Sequence, residues 1–246
     1  MSSIKYKYRE HIHNLKAPSE IIPYILSWYK PKSVVDVGCG TGTFLRKFKE
    51  LGVQNVCGIE GKWVNTELLL KNIDRHEYIQ MDLEKPFNLD RKFDLVLCIE
   101  VAEHLKEEAA DELIESLVRL GDLIIFSAAI PHQGGQNHLN EQWPQYWIKK
   151  FSSYGFCFHD VFREYFWNNE NVFWWYKQNL FLVKKKSVPL APEIENKRKE
   201  ILNYIHPELF HLKAESLRRI VDNDESFFYY LKLLARKLVK PFWSHQ

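Results

Sequence analysis

The run Ser33-Val34-Val35-Asp36-Val37 passes without a break into Gly38-Cys39-Gly40-Thr41-Gly42, and Thr43 to Leu51 then resumes helical spacing with Phe44, Leu45 and Phe48. A short β-branched run is what a buried central strand of a parallel sheet requires. Glycines at the turn let the backbone bend tightly and approach a ligand where any Cβ would obstruct it. Strand, glycine turn and helix in this order point to a fold that binds its ligand outside the carboxyl end of a parallel strand.

The unit repeats. Ala17 to Tyr29 precedes it as a predicted helix, with Ile21, Ile22, Ile25 and Leu26 as its apolar stripe. Asn55 to Ile59 reads as a second strand ending in Glu60, followed by a helix over Trp63 to Lys71. Tyr78 to Met81 is a third strand, ending in Asp82, and Phe93 to Ile99 a fourth, ending in Glu100. Glu107 to Leu120 is helical, and Asp122 to Ser127 is a fifth strand. Strands alternating with helices predict an α/β fold, a Rossmann-like, mostly parallel sheet with helices on both faces. Pro131 to Asn140 is then a polar, glycine-containing loop too long to be a mere connection. Trp143 to Tyr154 reads as a helix, and Phe156 to Phe166 and Asn179 to Lys184 as two last strands around the aromatic stretch Phe173-Trp174-Trp175-Tyr176. After Lys184-Lys185-Lys186 the composition shifts. The expected organisation is a first domain over residues 1–186 and a helical C-terminal extension over residues 187–246.

With 246 residues, 46% of them hydrophobic, the chain can bury a sizeable core. A formal charge of +2 argues against attraction of nucleic acid over the whole surface, though not against a local basic patch. Cys39, Cys57, Cys98 and Cys157 form no close metal-type pair and read as free thiols of a reducing compartment. The N-terminus lacks an apolar signal core, and no run approaches the roughly 18 apolar residues of a membrane span. The expectation is a cytoplasmic protein.

The residues that close the strands carry the chemistry. Glu60 stands about eighteen residues beyond Gly42, a spacing at which a carboxylate accepts both hydroxyls of a ribose. Asp82 is placed to accept from an adenine amino group. A glycine turn alone is shared with dinucleotide-binding proteins. Asp36, inside the turn motif, is a poor neighbour for a pyrophosphate and a good one for a sulfonium and an amino cation.

The series Val35-Asp36-Val37-Gly38-Cys39-Gly40-Thr41-Gly42, Glu60, Asp82-Leu83 and Phe93-Asp94-Leu95-Val96-Leu97-Cys98-Ile99-Glu100-Val101-Ala102-Glu103-His104-Leu105 resembles the class I S-adenosylmethionine-dependent methyltransferase family over roughly residues 17–184. The resemblance implies seven strands, the last antiparallel and inserted between the fifth and sixth. It implies S-adenosyl-L-methionine as cofactor, with Asp36, Gly38, Cys39, Gly40 and Gly42 at its methionine end, Glu60 and Gly61 at the ribose, Asp82 and Leu83 at the adenine, and Glu100 beside them. A domain that keeps the fold only as an interaction module would be expected to lose Asp36, Glu60 or Asp82, and all three are present.

The segment from Pro131 to Trp147 follows the fifth strand and should lie over the methyl-transfer position. Its histidines, glutamate and amides are costly to bury without partners. Together with Arg163, Trp167, Trp174, Trp175, Tyr176, Gln178 and Asn179 they could line a polar pocket with aromatic walls, which fits a sugar. The segment and the later Trp175-Tyr176-Lys177-Gln178-Asn179 resemble a branch of the family found with glycan-building enzymes, which implies a sugar or glycan hydroxyl as acceptor. The candidate catalytic residues are His138, the first choice of base, with His132, His104 and Glu141. Glu100, Glu103 and His104 form an E-x-x-E-H pattern that, with His138, could hold Mg²⁺ or Mn²⁺. That pattern resembles metal-dependent RNA 2′-O-methyltransferases, the alternative reading, but Glu-His here also begins a helix in metal-free enzymes of the family.

In the extension, Phe227 to Lys240 reads as an amphipathic, basic helix, with Phe228, Leu231, Leu234 and Leu238 against Lys232, Arg236, Lys237 and Lys240. Packing on its own domain or on a second copy is one expectation, and peripheral membrane contact, with Phe242 and Trp243 following, is the other.

Overall fold

A computed structural model describes residues 12–195, 201–222 and 226–239. The first helix, α1 (Lys16–Trp28), leads into β1 (Ser33–Val37), the glycine turn and α2 (Thr43–Glu50). β2 (Asn55–Glu60), the single-turn α3 (Thr66–Leu69), β3 (Tyr78–Gln80), β4 (Leu95–Ile99), α4 (Ala110–Leu120) and β5 (Leu123–Ser127) follow. Then come α5 (Pro144–Ser153), β6 (Phe156–His159), the short helices α6 (Arg163–Phe166) and α7 (Trp174–Asn179), and β7 (Phe181–Lys185). The seven strands form one sheet in the order β3-β2-β1-β4-β5-β7-β6. β7 runs antiparallel between β5 and β6, and the other neighbouring pairs are parallel. The class I methyltransferase architecture implied by the sequence is the one observed.

The strands are apolar on both faces because both are covered. Val34, Leu95, Leu97, Ile125 and Leu182 face a core closed by Ile21, Ile22 and Ile25 of α1 and Leu45 and Phe48 of α2. Their neighbours in sequence, Val35, Val96, Cys98, Ile124 and Val183, face a second core closed by Leu113, Ile114 and Leu117 of α4 and Trp147 and Phe151 of α5. All four cysteines are free, and Cys39, Cys57 and Cys98 are buried.

Two of the expected elements are corrected. The helix expected over Trp63–Lys71 shrinks to Thr66–Leu69, capped by the Asn65 side chain accepting from the Leu68 N–H. The strand expected over Phe156–Phe166 ends at His159, and Arg163–Phe166 is helical. Alternating aromatics there imitate a strand, but Phe162 and Phe166 turn together towards α1, where both meet Tyr24. The first compact unit runs to Tyr204. The link carries α8 (Pro192–Glu195), whose Ile194 is buried, and Arg163 ties its end down. The Arg163 guanidinium donates to Asp160 Oδ2 at 3.0 and 2.6 Å and to the Leu202 carbonyl at 2.9 Å, and it lies 4.6 Å from the Phe181 ring and 4.4 Å from that of Tyr204. Arg163 is therefore a buried structural cation, not a wall of an acceptor pocket.

The second unit, from Ile205, contains α9 (Pro207–Val221) and α10 (Phe227–Val239). Lys240, Pro241, Phe242 and Trp243 lie outside the described residues. Among the described residues no helix is long and apolar enough to cross a membrane.

Removing one member of a buried ion pair leaves the other charge uncompensated, at a cost of about 3–5 kcal/mol. Arg163→Ala should lower the free energy of unfolding by about that amount in urea titration. A loss within the error of the titration would show that Arg163 does not hold the link to the domain.

Candidate functional site

Because β1 to β5 are parallel, their carboxyl ends gather on one edge of the sheet, and the strand order reverses between β1 and β4 at the glycine turn. The Gly38 and Cys39 N–H groups both donate to the Ile59 carbonyl, at 2.8 and 3.1 Å, which ties the end of β1 to the end of β2. Gly38 adopts φ +79°, and a Cβ there would lie 2.3 Å from Val101 Cγ2, so only glycine fits between the turn and the segment after β4. Gly40 donates to Glu60 Oε2 at 2.9 Å, and Gly61 donates to Glu60 Oε1 at 2.7 Å. Glu60 thus anchors the turn with one lone pair on each oxygen and keeps others for a ligand. Asn72, which no sequence pattern singles out, donates to the Thr41 carbonyl at 2.7 Å and so braces the turn.

Asp36 is buried beside Glu60. Burial first, and the neighbouring Glu60 charge second, push its carboxyl up to about 8. Burial also raises Glu60, against the hydrogen bonds from Gly61 and Gly40. Two buried acids flanking a glycine turn are what a cationic ligand would relieve. The Trp63 ring fills the space that a Cβ on Gly61 would occupy, 2.3 Å from that position. Asp82 is exposed on its turn, where it accepts from the Glu84 N–H at 3.2 Å and lies 3.5 Å from Lys85 Nζ. Leu83 and Cys39 are buried in the two cores, and burial pushes the Cys39 thiol well up.

At the end of β4 the chain adopts φ +54° at Glu100, whose N–H donates to the Ser127 carbonyl and hydroxyl at 3.1 and 2.9 Å. The Glu100 carboxylate accepts from Asn179 Nδ2 and from Gln133 Nε2, each at 3.1 Å. Asn179 and Gln178 also donate to Gln133 Oε1, at 2.9 and 3.2 Å. These buried amides lock loop and α7 together over the strand ends and orient Glu100, so they are spent on the protein rather than facing an acceptor. Burial pushes Glu100 up to about 7 against those donors. Tyr176 of α7 meets Phe44 at the start of α2, with ring centroids 5.9 Å apart, and Phe173 stacks on Trp175 at 4.5 Å.

The loop after β5 is pinned by its backbone, with Leu139 and Asn140 N–H groups donating to the Glu103 carbonyl at 2.7 and 3.0 Å. Glu141 accepts from the His132 and Gly134 N–H groups at 2.8 and 2.7 Å and lies 2.8 Å from His138 Nδ1. His132 itself is exposed and contributes only its backbone. The His138 ring stands edge-on to His104 at 4.9 Å, and a Cβ on Gly135 would lie 2.1 Å from His138 Nε2. Glu103, His104 and His138 each present one ligand atom within 4.8 Å of the others. Glu103 is fully buried, and among the described residues neither of its carboxylate oxygens makes a well-formed hydrogen bond. Burial, and then the Glu100 charge, raise it well above the carboxylate range, while burial and the facing His138 lower His104 to about 4. An orphaned carboxylate beside two imidazoles has the donor chemistry of a divalent cation site. Glu100 is not in this cluster.

The profile of a family described as a methyltransferase domain matches residues 8–164, more than half of the chain. The chain belongs to this methyltransferase family. By family and fold it is a class I S-adenosylmethionine-dependent methyltransferase. Among solved structures it is similar to a SAM-bound amino pentose methyltransferase from Micromonospora echinaspora involved in calicheamicin biosynthesis, with TM-score 0.54 and 13% identity over 73% of this chain and 98% of that one. It is also similar to the magnesium protoporphyrin IX methyltransferase of Synechocystis PCC 6803 with bound SAM, with TM-score 0.50 and 15% identity over 74% of this chain and 88% of the other. A third is a glycopeptide N-methyltransferase complexed with sinefungin, with TM-score 0.50 and 15% identity over 68% and 92% of the two chains. No curated protein matches the sequence.

For this methyltransferase the raised Asp36 has a consequence for stability. An acid whose pKa rises from 3.8 to about 8 on folding favours the fold in its neutral form, so its contribution is complete at acid pH and is lost as pH climbs through 8. Asp36→Asn keeps the neutral form at every pH. The loss of stability between pH 6 and pH 9, measured by urea unfolding without ligand, should therefore be smaller in Asp36→Asn than in the wild type. Parallel losses would show that another group carries the alkaline instability.

Proposed function

We propose that the methyltransferase transfers a methyl group from S-adenosylmethionine to a hydroxyl of a sugar or glycan. The observation that carries this reading is His138, held through Nδ1 by Glu141 beside Glu103 and His104. A hydroxyl acceptor, unlike a thioether or a free amine, calls for a base or a Lewis acid at the point of attack, and this cluster can supply either.

When bound, the cofactor supplies an electrophilic methyl on a positively charged sulfur. The chain's own groups orient it. Asp36 would take the amino cation and in doing so give up its proton. The remaining lone pairs of Glu60 would accept from the ribose, Asp82 from the adenine amino group, and Trp63 would cover the ribose edge. A carboxylate on Nδ1 fixes the His138 tautomer with its acceptor lone pair on Nε2, the atom that would remove the acceptor's proton. Glu103, His104 and His138 would hold a divalent cation, which would lower the pKa of a coordinated hydroxyl. Since Nδ1 belongs to Glu141, His138 Nε2 can serve as base or as ligand but not as both.

Support for a sugar is the group of partly exposed aromatics at the start of α7, where Phe173, its N-cap, stacks on Trp175. A second reading, a metal-dependent RNA 2′-O-methyltransferase, is favoured by the orphaned Glu103 beside two histidines and opposed by a net charge of only +2.

His138→Ala should reduce turnover by about 10²–10⁴-fold, as loss of a general base does, while cofactor affinity survives. Full activity in this variant would remove His138 from the mechanism. Labelled-methyl transfer to a panel of glycans and short RNAs, with and without EDTA, separates the readings. Transfer to glycan in EDTA supports His138 as base, and EDTA-sensitive transfer restored by Mg²⁺ or Mn²⁺ supports the cation. Transfer to RNA alone would overturn the sugar assignment.

A further inference from the structure

Helix α10 is the feature that the methyltransferase site leaves unused. Phe227, Phe228, Leu231 and Leu234 recur at the spacing of one helical face. They are 72%, 78%, 43% and 57% exposed, and two of them are the most exposed large apolar side chains described in the molecule. Tyr229 and Tyr230 are partly buried, and the Tyr230 hydroxyl donates to the Ile220 carbonyl of α9 at 3.5 Å. The side of α10 that meets α9 is therefore the tyrosine side, and the phenylalanine–leucine face is uncovered among the described residues of its unit. Soluble domains rarely leave such a contiguous apolar stripe without a partner.

Charge selects the partner. From Ser226 to the C-terminus the sequence carries Lys232, Arg236, Lys237 and Lys240 and no aspartate or glutamate. In α9 and its C-cap the acids Glu208, Glu215 and Asp222 balance Lys213, Arg218 and Arg219, with Arg218 paired to Glu215 and Asp222, and the sequence keeps its last acids, Asp224 and Glu225, ahead of α10. The cationic character thus coincides with the helix whose apolar face is open. A helix with aromatic and leucine residues on one face, a basic complement and no acid is the chemistry of a segment that lies in the interface of an anionic bilayer. A second copy fits less well, because apolar faces brought together would also bring together two uncompensated basic segments.

We propose that α10 is a membrane-surface anchor that places the methyltransferase on anionic lipid, with Phe227, Phe228, Leu231 and Leu234 entering the interface and the basic charge of the segment supplying the attraction to the headgroups. The test is co-sedimentation of the full chain with vesicles of phosphatidylcholine alone and of phosphatidylcholine with about a third phosphatidylserine. Binding should require phosphatidylserine and weaken with salt. Each basic residue near the surface contributes about 1 kcal/mol, a factor of about five, so Lys232→Glu with Arg236→Glu should weaken binding by at least about 25-fold. Phe228→Glu with Leu231→Glu should abolish it. Unchanged circular dichroism in both variants would show that they remain folded. No binding to anionic vesicles, binding indifferent to the charge reversal, or a dimer in light scattering that Phe228→Glu with Leu231→Glu dissociates would overturn the proposal.

Discussion

The site depends on one carboxylate. Glu60 accepts from the Gly40 and Gly61 N–H groups, one on each oxygen, and so joins the glycine turn of β1 to the end of β2. The alternation that places Val35 and Val37 in one core turns Asp36 to the other side of β1, next to Glu60, where both acids are buried. Two carboxylates crowded out of water are costly by themselves. They are reasonable only as half of a site whose other half carries positive charge, and the methyl donor of this family has an amino cation and a sulfonium.

The same logic recurs at the far side of the strand ends. Glu100 is held by Asn179 and Gln133, so its burial is compensated by donors within the chain. Glu103, three residues further along the chain, has no such donors on its oxygens among the described residues and faces two imidazoles. One glutamate is thus structural and orienting, and the other is left wanting a cation or a proton.

Much of this was legible because strands covered on both faces are unambiguous as sequence. Ser33–Val37, with valine at three of five positions, could be little else than a central strand, and the acids after β2, β3 and β4 stood where parallel strands end. The failures share a cause. Phe156 to Phe166 alternates like a strand, yet its second half packs as a helix on Tyr24, a contact about 140 residues distant that no local pattern encodes. Arg163, Gln178 and Asn179 looked like pocket walls because polar residues among aromatics suggest a ligand. Asp160 is a local partner of Arg163, three residues back, but Leu202 and Gln133 come from elsewhere in the fold. Asn72 and Trp63 had no pattern at all and became visible only when the turn they support was seen in three dimensions.

The central claim is that the turn from Asp36 to Gly42, tied by Glu60, is the cofactor site. Calorimetric titration with S-adenosylhomocysteine tests it most directly. The wild type should bind with one site per chain, and Asp36→Ala and Gly40→Val should each abolish the heat of binding while remaining folded by circular dichroism. Affinity unchanged in both folded variants would contradict the assignment, whatever the acceptor proves to be.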